Sequence, residues 1–206
     1  MPILPRKMKQ EIMDFIFNNS RIFDRLRSMV HSGYKNEKKV ILRNFNKNKP
    51  TLDFGCGVGQ FSVIFSPEKY YGADTDAKYV DFCKKNRKGN FFMINNVPPY
   101  SFKNEHFTQV LISAVVHHID NETLEAISRE LRRILSKNGE IMIIDHFVRK
   151  KQKNLLCKFL IDLDRGSFFR NPKEVIEIFS KDFKVKKMKN FKNGPYKDYF
   201  LILKKS

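Results

Sequence analysis

Cysteine is scarce in this chain. The three residues, Cys56, Cys83 and Cys157, are odd in number and lack the paired spacing of a metal knuckle. That argues against a disulfide framework and a structural zinc site, and favours reduced thiols in a cytoplasmic protein. No apolar run approaches the length of a membrane span. The opening MPILPRKMKQEIMDFIF places charges after a brief apolar start, without the continuous apolar core or small-residue cleavage site of a secretion signal. No internal repeat or low-complexity block is present. Acidic residues are also few, 22 against 40 lysines and arginines, giving a formal charge of +18 and a pI near 9.8.

What is there suffices for a core. With 206 residues, 41% hydrophobic and 13% aromatic, the chain can offset its conformational entropy by burial in one main domain. The positive charge recurs everywhere, as RKMK at 6–9, KNEKK at 35–39, KKNRK at 84–88 and RKKQK at 149–153. Lysine, phenylalanine and asparagine are abundant together, as an AT-rich coding sequence gives without any ligand. The other reading is attraction to phosphate, nucleic acid or a membrane surface.

Apolar residues at helical spacing over 8–31, interrupted near residues 18–20, predict two helices, and a third runs from about Asn36 to Phe45. Then the pattern alternates. Strands are expected at 51–54, 69–73, 91–95, 108–113 and 140–145, with helices at 59–65, 77–88 and 121–136 between them. A helical stretch (151–163), a loop (164–172), a helix (173–180) and two β-rich runs (183–191 and 198–204) follow, the last two as a hairpin on one sheet edge. Strands alternating with helices imply a doubly wound α/β domain with a parallel sheet covered on both faces. The expected division is an N-terminal helical extension or lid over 1–46 and a main domain over 47–206, with a variable segment near 147–172.

LDFGCGVGQF holds the strongest signal. Gly55, Gly57 and Gly59 lie between a strand and a helix, where missing side chains allow a tight turn and close approach of backbone to a ligand. A nicotinamide fingerprint needs glycine at position 60, which is Gln60, so the spacing is GxGxG after an acidic Asp53. Asp74 ends the next strand in YYGADTD, where a carboxylate can accept from both hydroxyls of a ribose held by the turn, and Asp76 is the better-placed helix cap.

LDFGCGVGQF, YYGADTD, FFMINNV, FKNEHFTQVLISAVVHHI and LRRILSKNGEIMIID, in this order and spacing over roughly residues 48–146, resemble the successive motifs of class I S-adenosylmethionine-dependent methyltransferases. The resemblance implies a Rossmann-like seven-stranded sheet with its last strand antiparallel, and S-adenosyl-L-methionine as cofactor. It also implies roles by position. Gly55, Cys56 and Gly57 present backbone to the amino-acid part of the cofactor, Asp53 reaches its ammonium, and Asp74 holds the ribose. Asn96, where the family usually has Asp, accepts from the adenine amine, and Val97 follows with a backbone N–H. Thr75, beside Asp74, and Ser113, ending the fourth strand, belong to the same expected set.

The stretch NNVPPY looks like the Asp/Asn-Pro-Pro-Tyr element of enzymes that methylate adenine amines, but its first position is Val97, which cannot accept from an amine. It also follows the third strand rather than the fourth. The prolines are read as a rigid turn near the cofactor.

A methyl acceptor that is a hydroxyl or an acidic carbon needs a base. His117 and His118 follow the fourth strand and His146 follows the fifth, on the edge where open α/β sheets place ligands. His118 leads as candidate base and His146 is next, against the reading that the histidines only shape the pocket. Leu155, Leu156, Phe159, Leu160 and Leu163 share a helical face after the basic run 149–153, suiting core or lid packing, or peripheral contact with a membrane or lipid-like substrate. Arg165 and Arg170 are candidate clamps for an anionic group, and Tyr34 is a candidate lid residue. The resemblance and these residues lead to a methyltransferase acting on oxygen or carbon of a small, anionic or lipid-like metabolite. The alternative is an RNA-associated methyltransferase or RNA-binding protein using the basic surface. No oligomeric state is legible.

Overall fold

The computed structural model describes residues 34–146, 167–193 and 196–206. The helices expected within 8–31 and over 151–163, with Arg165 and Cys157, lie outside the described residues. The first helix among the described residues, α1 (Lys35–Asn44), leads to β1 (Thr51–Phe54). There follow β2 (Tyr70–Asp74), α2 (Ala77–Asn86), β3 (Asn90–Met93), β4 (Phe107–Ser113), α3 (Asn121–Ile134) and β5 (Leu135–His146). The chain finishes with α4 (Pro172–Phe179) and the pair β6 (Phe183–Asn193) and β7 (Tyr196–Lys205).

These strands make one seven-stranded sheet in the order β3-β2-β1-β4-β5-β7-β6. β1 to β5 are mutually parallel, and β7 runs antiparallel to both neighbours. The expected hairpin is present, with β7 inserted beside β5 and β6 at the edge. β6 carries five lysines, Lys184, Lys186, Lys187, Lys189 and Lys192, and its register shifts between Val185 and Lys187.

Successive side chains on a strand face opposite sides, so each central strand feeds two cores. Val110 and Ile112 of β4, Ile141 and Ile143 of β5, and Leu201 and Leu203 of β7 pack with Leu124, Ile127 and Leu131 of α3 and with Val175 and Phe179 of α4. Leu111, Met142, Ile144, Phe200 and Ile202 form the other core with Ile41 of α1 and Val80 and Cys83 of α2. Side-chain oxygens start the helices: Asp120 accepts from Thr123 N, and Asn171 and Glu174 form a reciprocal capping box.

One local expectation is corrected. The helix expected over 59–65 is a turn followed by a single 3₁₀ turn at Ser62–Ile64 and another at Pro67–Lys69. Gly59 at φ +69° and Pro67 bracket too little chain for a helix, and the Ser62 hydroxyl donates to the Gly59 carbonyl at 2.8 Å. Tyr34, a candidate lid residue, is buried and meets Phe61 edge-on at 5.9 Å.

Candidate active site

β1 is flanked by β2 and β4, whose onward connections run to opposite halves of the sheet, so a crevice opens at its C-terminal end. The glycine turn fills that place. Gly55 N and Cys56 N both donate to the Ala73 carbonyl, at 2.8 and 3.0 Å, and Gly57 N donates to Asp74 Oδ2 at 2.7 Å. From below, Arg87 Nε holds the Val58 carbonyl at 2.9 Å and the Cys83 thiol reaches the Gly57 carbonyl at 3.3 Å. Gly55 and Gly57 both take left-handed backbone, φ +72° and +53°. A side chain at Gly55 would strike Val115, whereas one at Gly57 would meet nothing within 4 Å. The backbone at Gly57 is therefore laid bare to the crevice, which fits a ligand that must approach the main chain closely.

Asp53 lies beneath this turn, buried, and accepts from the Tyr70 hydroxyl at 2.5 Å. Burial pushes its pKa up to about 7; the Tyr70 hydrogen bond opposes this and the charge on Asp74 adds to it. A cation placed nearby would favour the ionised form, which suits the ammonium expected there. Asp74 spends one oxygen on Gly57 N and the other on Asp76 N at 3.0 Å, and each oxygen keeps a lone pair for a hydroxyl donor. Burial raises its pKa, against the hydrogen bonds from Asp76 and Gly57. Asp76 caps α2 by accepting from Lys78 N at 2.8 Å. Thr75 is exposed beside Asp74, Asn96 and Val97 are exposed just past β3, and Ser113 is buried at the end of β4. The expected set thus gathers on one edge of the sheet, at the ends of β1 to β4.

The same edge carries a buried polar cluster. His117 Nδ1 lies 2.7 Å from Asp145 Oδ1, and that oxygen also accepts from the His146 backbone N–H at 2.7 Å. His146 Nδ1 in turn lies 2.8 Å from Asp198 Oδ1 on β7. His117, Asp145, His146 and Asp198 are all buried, and Asp145 Oδ2 has no hydrogen-bond partner among the described residues. Burial alone would raise the Asp145 pKa, but the charge and hydrogen bond of His117, with His146 behind, bring it below the ordinary carboxylate value. For His146 burial favours the neutral ring, yet the hydrogen bond and charge of Asp198, then Asp145, raise its pKa above the usual 6.5. His118 is exposed, its ring centroid 4.2 Å from that of His117. Phe169 stacks on the other imidazole of the pair, His117, with the planes 5° apart.

Arg170 is no clamp for an anion. All five of its N–H groups are committed, to the carbonyls of Val116, Ile119 and Phe168 and twice to Asn121 Oδ1. It ties residues 168–171 to the turn that carries the histidines. Tyr100 of the NVPPY stretch is likewise structural: its ring is buried against Phe54 and its N–H donates to Glu130 Oε1 at 2.8 Å. Sequence reading missed Tyr70, Asp145, Asp198 and Phe169. A signal existed for the two carboxylates, since each adjoins an apolar run of its strand, IMII before Asp145 and YFLIL after Asp198, where a charge drawn into the core needs a partner.

A family model described as a methyltransferase domain matches residues 52–143. No curated protein sequence matches the chain significantly. Among solved structures, magnesium protoporphyrin IX methyltransferase from Synechocystis PCC 6803 with bound SAH is similar at TM-score 0.66 and 17% identity, over 96% of this chain and 100% of that one. A TehB-like SAM-dependent methyltransferase from Corynebacterium glutamicum gives TM-score 0.66 and 17% identity, over 91% and 98%. Geranyl diphosphate C-methyltransferase from Streptomyces coelicolor A3(2), in complex with geranyl diphosphate and S-adenosyl-L-homocysteine, gives 0.64 and 12%, over 83% and 77%. With its matched segment over residues 52–143, its sheet order and its glycine cradle, the chain has the fold of the class I S-adenosylmethionine-dependent methyltransferases and resembles them in its cofactor-side motifs.

Proposed function

We propose that this enzyme transfers a methyl group to an oxygen or carbon atom of a small metabolite. The observation that carries this reading is the buried His117–Asp145–His146–Asp198 cluster at the cofactor edge, a proton-accepting apparatus that an already nucleophilic acceptor would not need. S-adenosyl-L-methionine supplies a methyl already activated on a sulfonium, so the protein must align the acceptor, exclude water and remove a proton. Gly55, Cys56 and Gly57 hold the amino-acid part with backbone, and Asp53 faces its ammonium. Asp74 and Thr75 take the ribose, Asn96 and Val97 the adenine, and Ser113 closes the end of β4.

The imidazoles divide the proton work. Asp145 selects the His117 tautomer with Nδ1–H turned to it, which leaves Nε2 as the basic nitrogen. His146, its pKa raised by Asp198, is the charged partner that steadies Asp145 through its backbone N–H. His118, exposed beside His117, is the imidazole at the mouth. An acceptor with an apolar body and an anionic head suits the sequence of residues 149–163, a basic run followed by leucines and Phe159.

Calorimetric titration with S-adenosyl-L-homocysteine, beside labelled RNA at low and physiological salt, tests the reading. Binding of the former, weakened at least tenfold by Asp74→Ala, with RNA binding erased by salt, is expected. RNA binding that persists at physiological salt would transfer the proposal to a nucleic-acid acceptor. Unchanged affinity in Asp74→Ala would overturn the cofactor assignment.

A further inference from the structure

The opposite edge of the sheet, where the parallel strands begin, holds a cleft of about 550 Å³. Arg129, Arg132 and Arg133 on the last turns of α3, Lys205 at the end of β7, and the turn residues Asn104 and Glu105 before β4 line it. Four cations face one carboxylate.

Their hydrogen bonds separate scaffold from lining. Arg133 spends all five N–H groups, on Glu130 through both carboxylate oxygens, on the Tyr100 and Phe102 carbonyls and on Asn104 Oδ1. It is a structural pin, neutralised by Glu130. Arg132 spends one, on the Asp182 carbonyl at 2.7 Å, which orients the guanidinium and, among the described residues, leaves the rest of its fork uncommitted. Arg129 is exposed and lies 4.0 Å from Glu125. The Lys205 side chain is 15% exposed, and its nearest carboxylate, Glu105, stands at 3.8 Å, beyond a hydrogen bond. Burial depresses the Lys205 pKa, Glu105 partly restores it, and the charge of Arg132 depresses it again. The Arg132 charge is therefore felt at Lys205 within a partly desolvated cleft. Glu105 adopts left-handed backbone, φ +54°, a strained state of the kind that collects at binding sites.

We infer that this cleft is a second ligand site, distinct from the methyl-transfer edge, that binds the dianionic phosphate of a phosphate monoester. With Arg133 balanced by Glu130, the lining keeps Arg129, Arg132 and Lys205 against Glu105, two positive charges, and Glu125, 4.0 Å from Arg129, is itself held closer by Lys181 at 3.2 Å. A monoester carries close to two negative charges above its second pKa of about 6. The Arg132 fork matches phosphate oxygens in pairs and Lys205 adds a point charge. The volume leaves room for an organic portion as well as the phosphate.

The test uses the full chain saturated with S-adenosyl-L-homocysteine, at pH 7.5 and constant ionic strength. Inorganic phosphate, glycerol 3-phosphate and adenosine 5′-monophosphate are titrated calorimetrically, with glycerol as the neutral control. Both monoesters, or all three phosphates, should bind and glycerol should not; a monoester stronger than inorganic phosphate marks an organic subsite. The double variant R132Q/K205Q should lose at least tenfold in affinity, each single variant a smaller part, and Lys84→Gln on α2 nothing beyond twofold. S-adenosyl-L-homocysteine affinity should be the same in all, which shows that each variant is folded. Phosphate binding that is absent, or unmoved by these substitutions, would overturn the site. So would an RNA oligonucleotide that binds through these residues more tightly than any monoester.

Discussion

Gly55 and Gly57 share a left-handed backbone but differ in surroundings, so one substitution should have two outcomes. Gly57→Ala meets open space and suffers only the backbone strain, about 1–2 kcal/mol, while its methyl enters the cradle. S-adenosyl-L-homocysteine affinity should fall at least tenfold with a modest drop in melting temperature. Gly55→Ala adds a collision with Val115 and should cost clearly more stability. Thermal melts beside calorimetry decide it, and equal losses of stability would refute the difference. Asp53 illustrates stability given up at a candidate cofactor-binding position. Its folded pKa of about 7 stands above the 3.8 of an ordinary Asp, so its stabilising contribution is complete below pH 3.8 and is lost as pH rises through about 7. Asp53→Asn, which still accepts from Tyr70, should stabilise the protein at pH 8 by up to about 4 kcal/mol while weakening cofactor binding. Denaturant unfolding at pH 5 and 8 measures it, and a variant less stable at pH 8 would contradict it. Motif spacing drew attention to both residues. It could not show that Arg170 is saturated by carbonyls, because those partners are backbone groups without identity in a sequence.

Elements bring together what the sequence keeps apart. Asp145 and His146 end β5, and β7 arrives antiparallel with Tyr199 opposite the first and Asp198 opposite the second. The β-rich character of both strands was legible, but the register that makes His146 and Asp198 partners across 52 residues was not. The short 3₁₀ turn at Ser62–Ile64 was illegible for a different reason: apolar spacing there suits a helix, and a side chain to backbone hydrogen bond competes with it. The pairing gives a signed pH prediction. The His146 pKa is raised, so its stabilisation is complete below about pH 6.5 and fades as pH rises through the higher folded value. Asp198→Asn should therefore cost about 3–5 kcal/mol near pH 6 and progressively less in alkali. The His146 ring resonances should titrate at lower pH in the variant. A gap between the two proteins that does not change with pH would show that Asp198 acts only by packing.

For the whole molecule, strand and helix alternation announced the doubly wound sheet, since burial on both faces leaves runs of apolar residues that few other architectures use. Net charge announced nothing about place. Part of that charge now has an address on β6, one of the two edge strands. Lys184, Lys186, Lys189 and Lys192 are exposed there, beside exposed Val185 and Met188 and next to a register shift. An unpaired strand edge invites a second copy to extend the sheet, and lysines and irregular register are means of refusing it. Replacing Lys184, Lys189 and Lys192 with Gln should leave the melting temperature nearly unchanged and raise light scattering with time and concentration. Glu at the same positions should keep the protein monodisperse, and a Gln variant that stays monodisperse would return these lysines to partner binding. The basic excess along this strand then acts as colloidal insulation, and a cell that acetylates it would be setting the solubility of the enzyme rather than its chemistry.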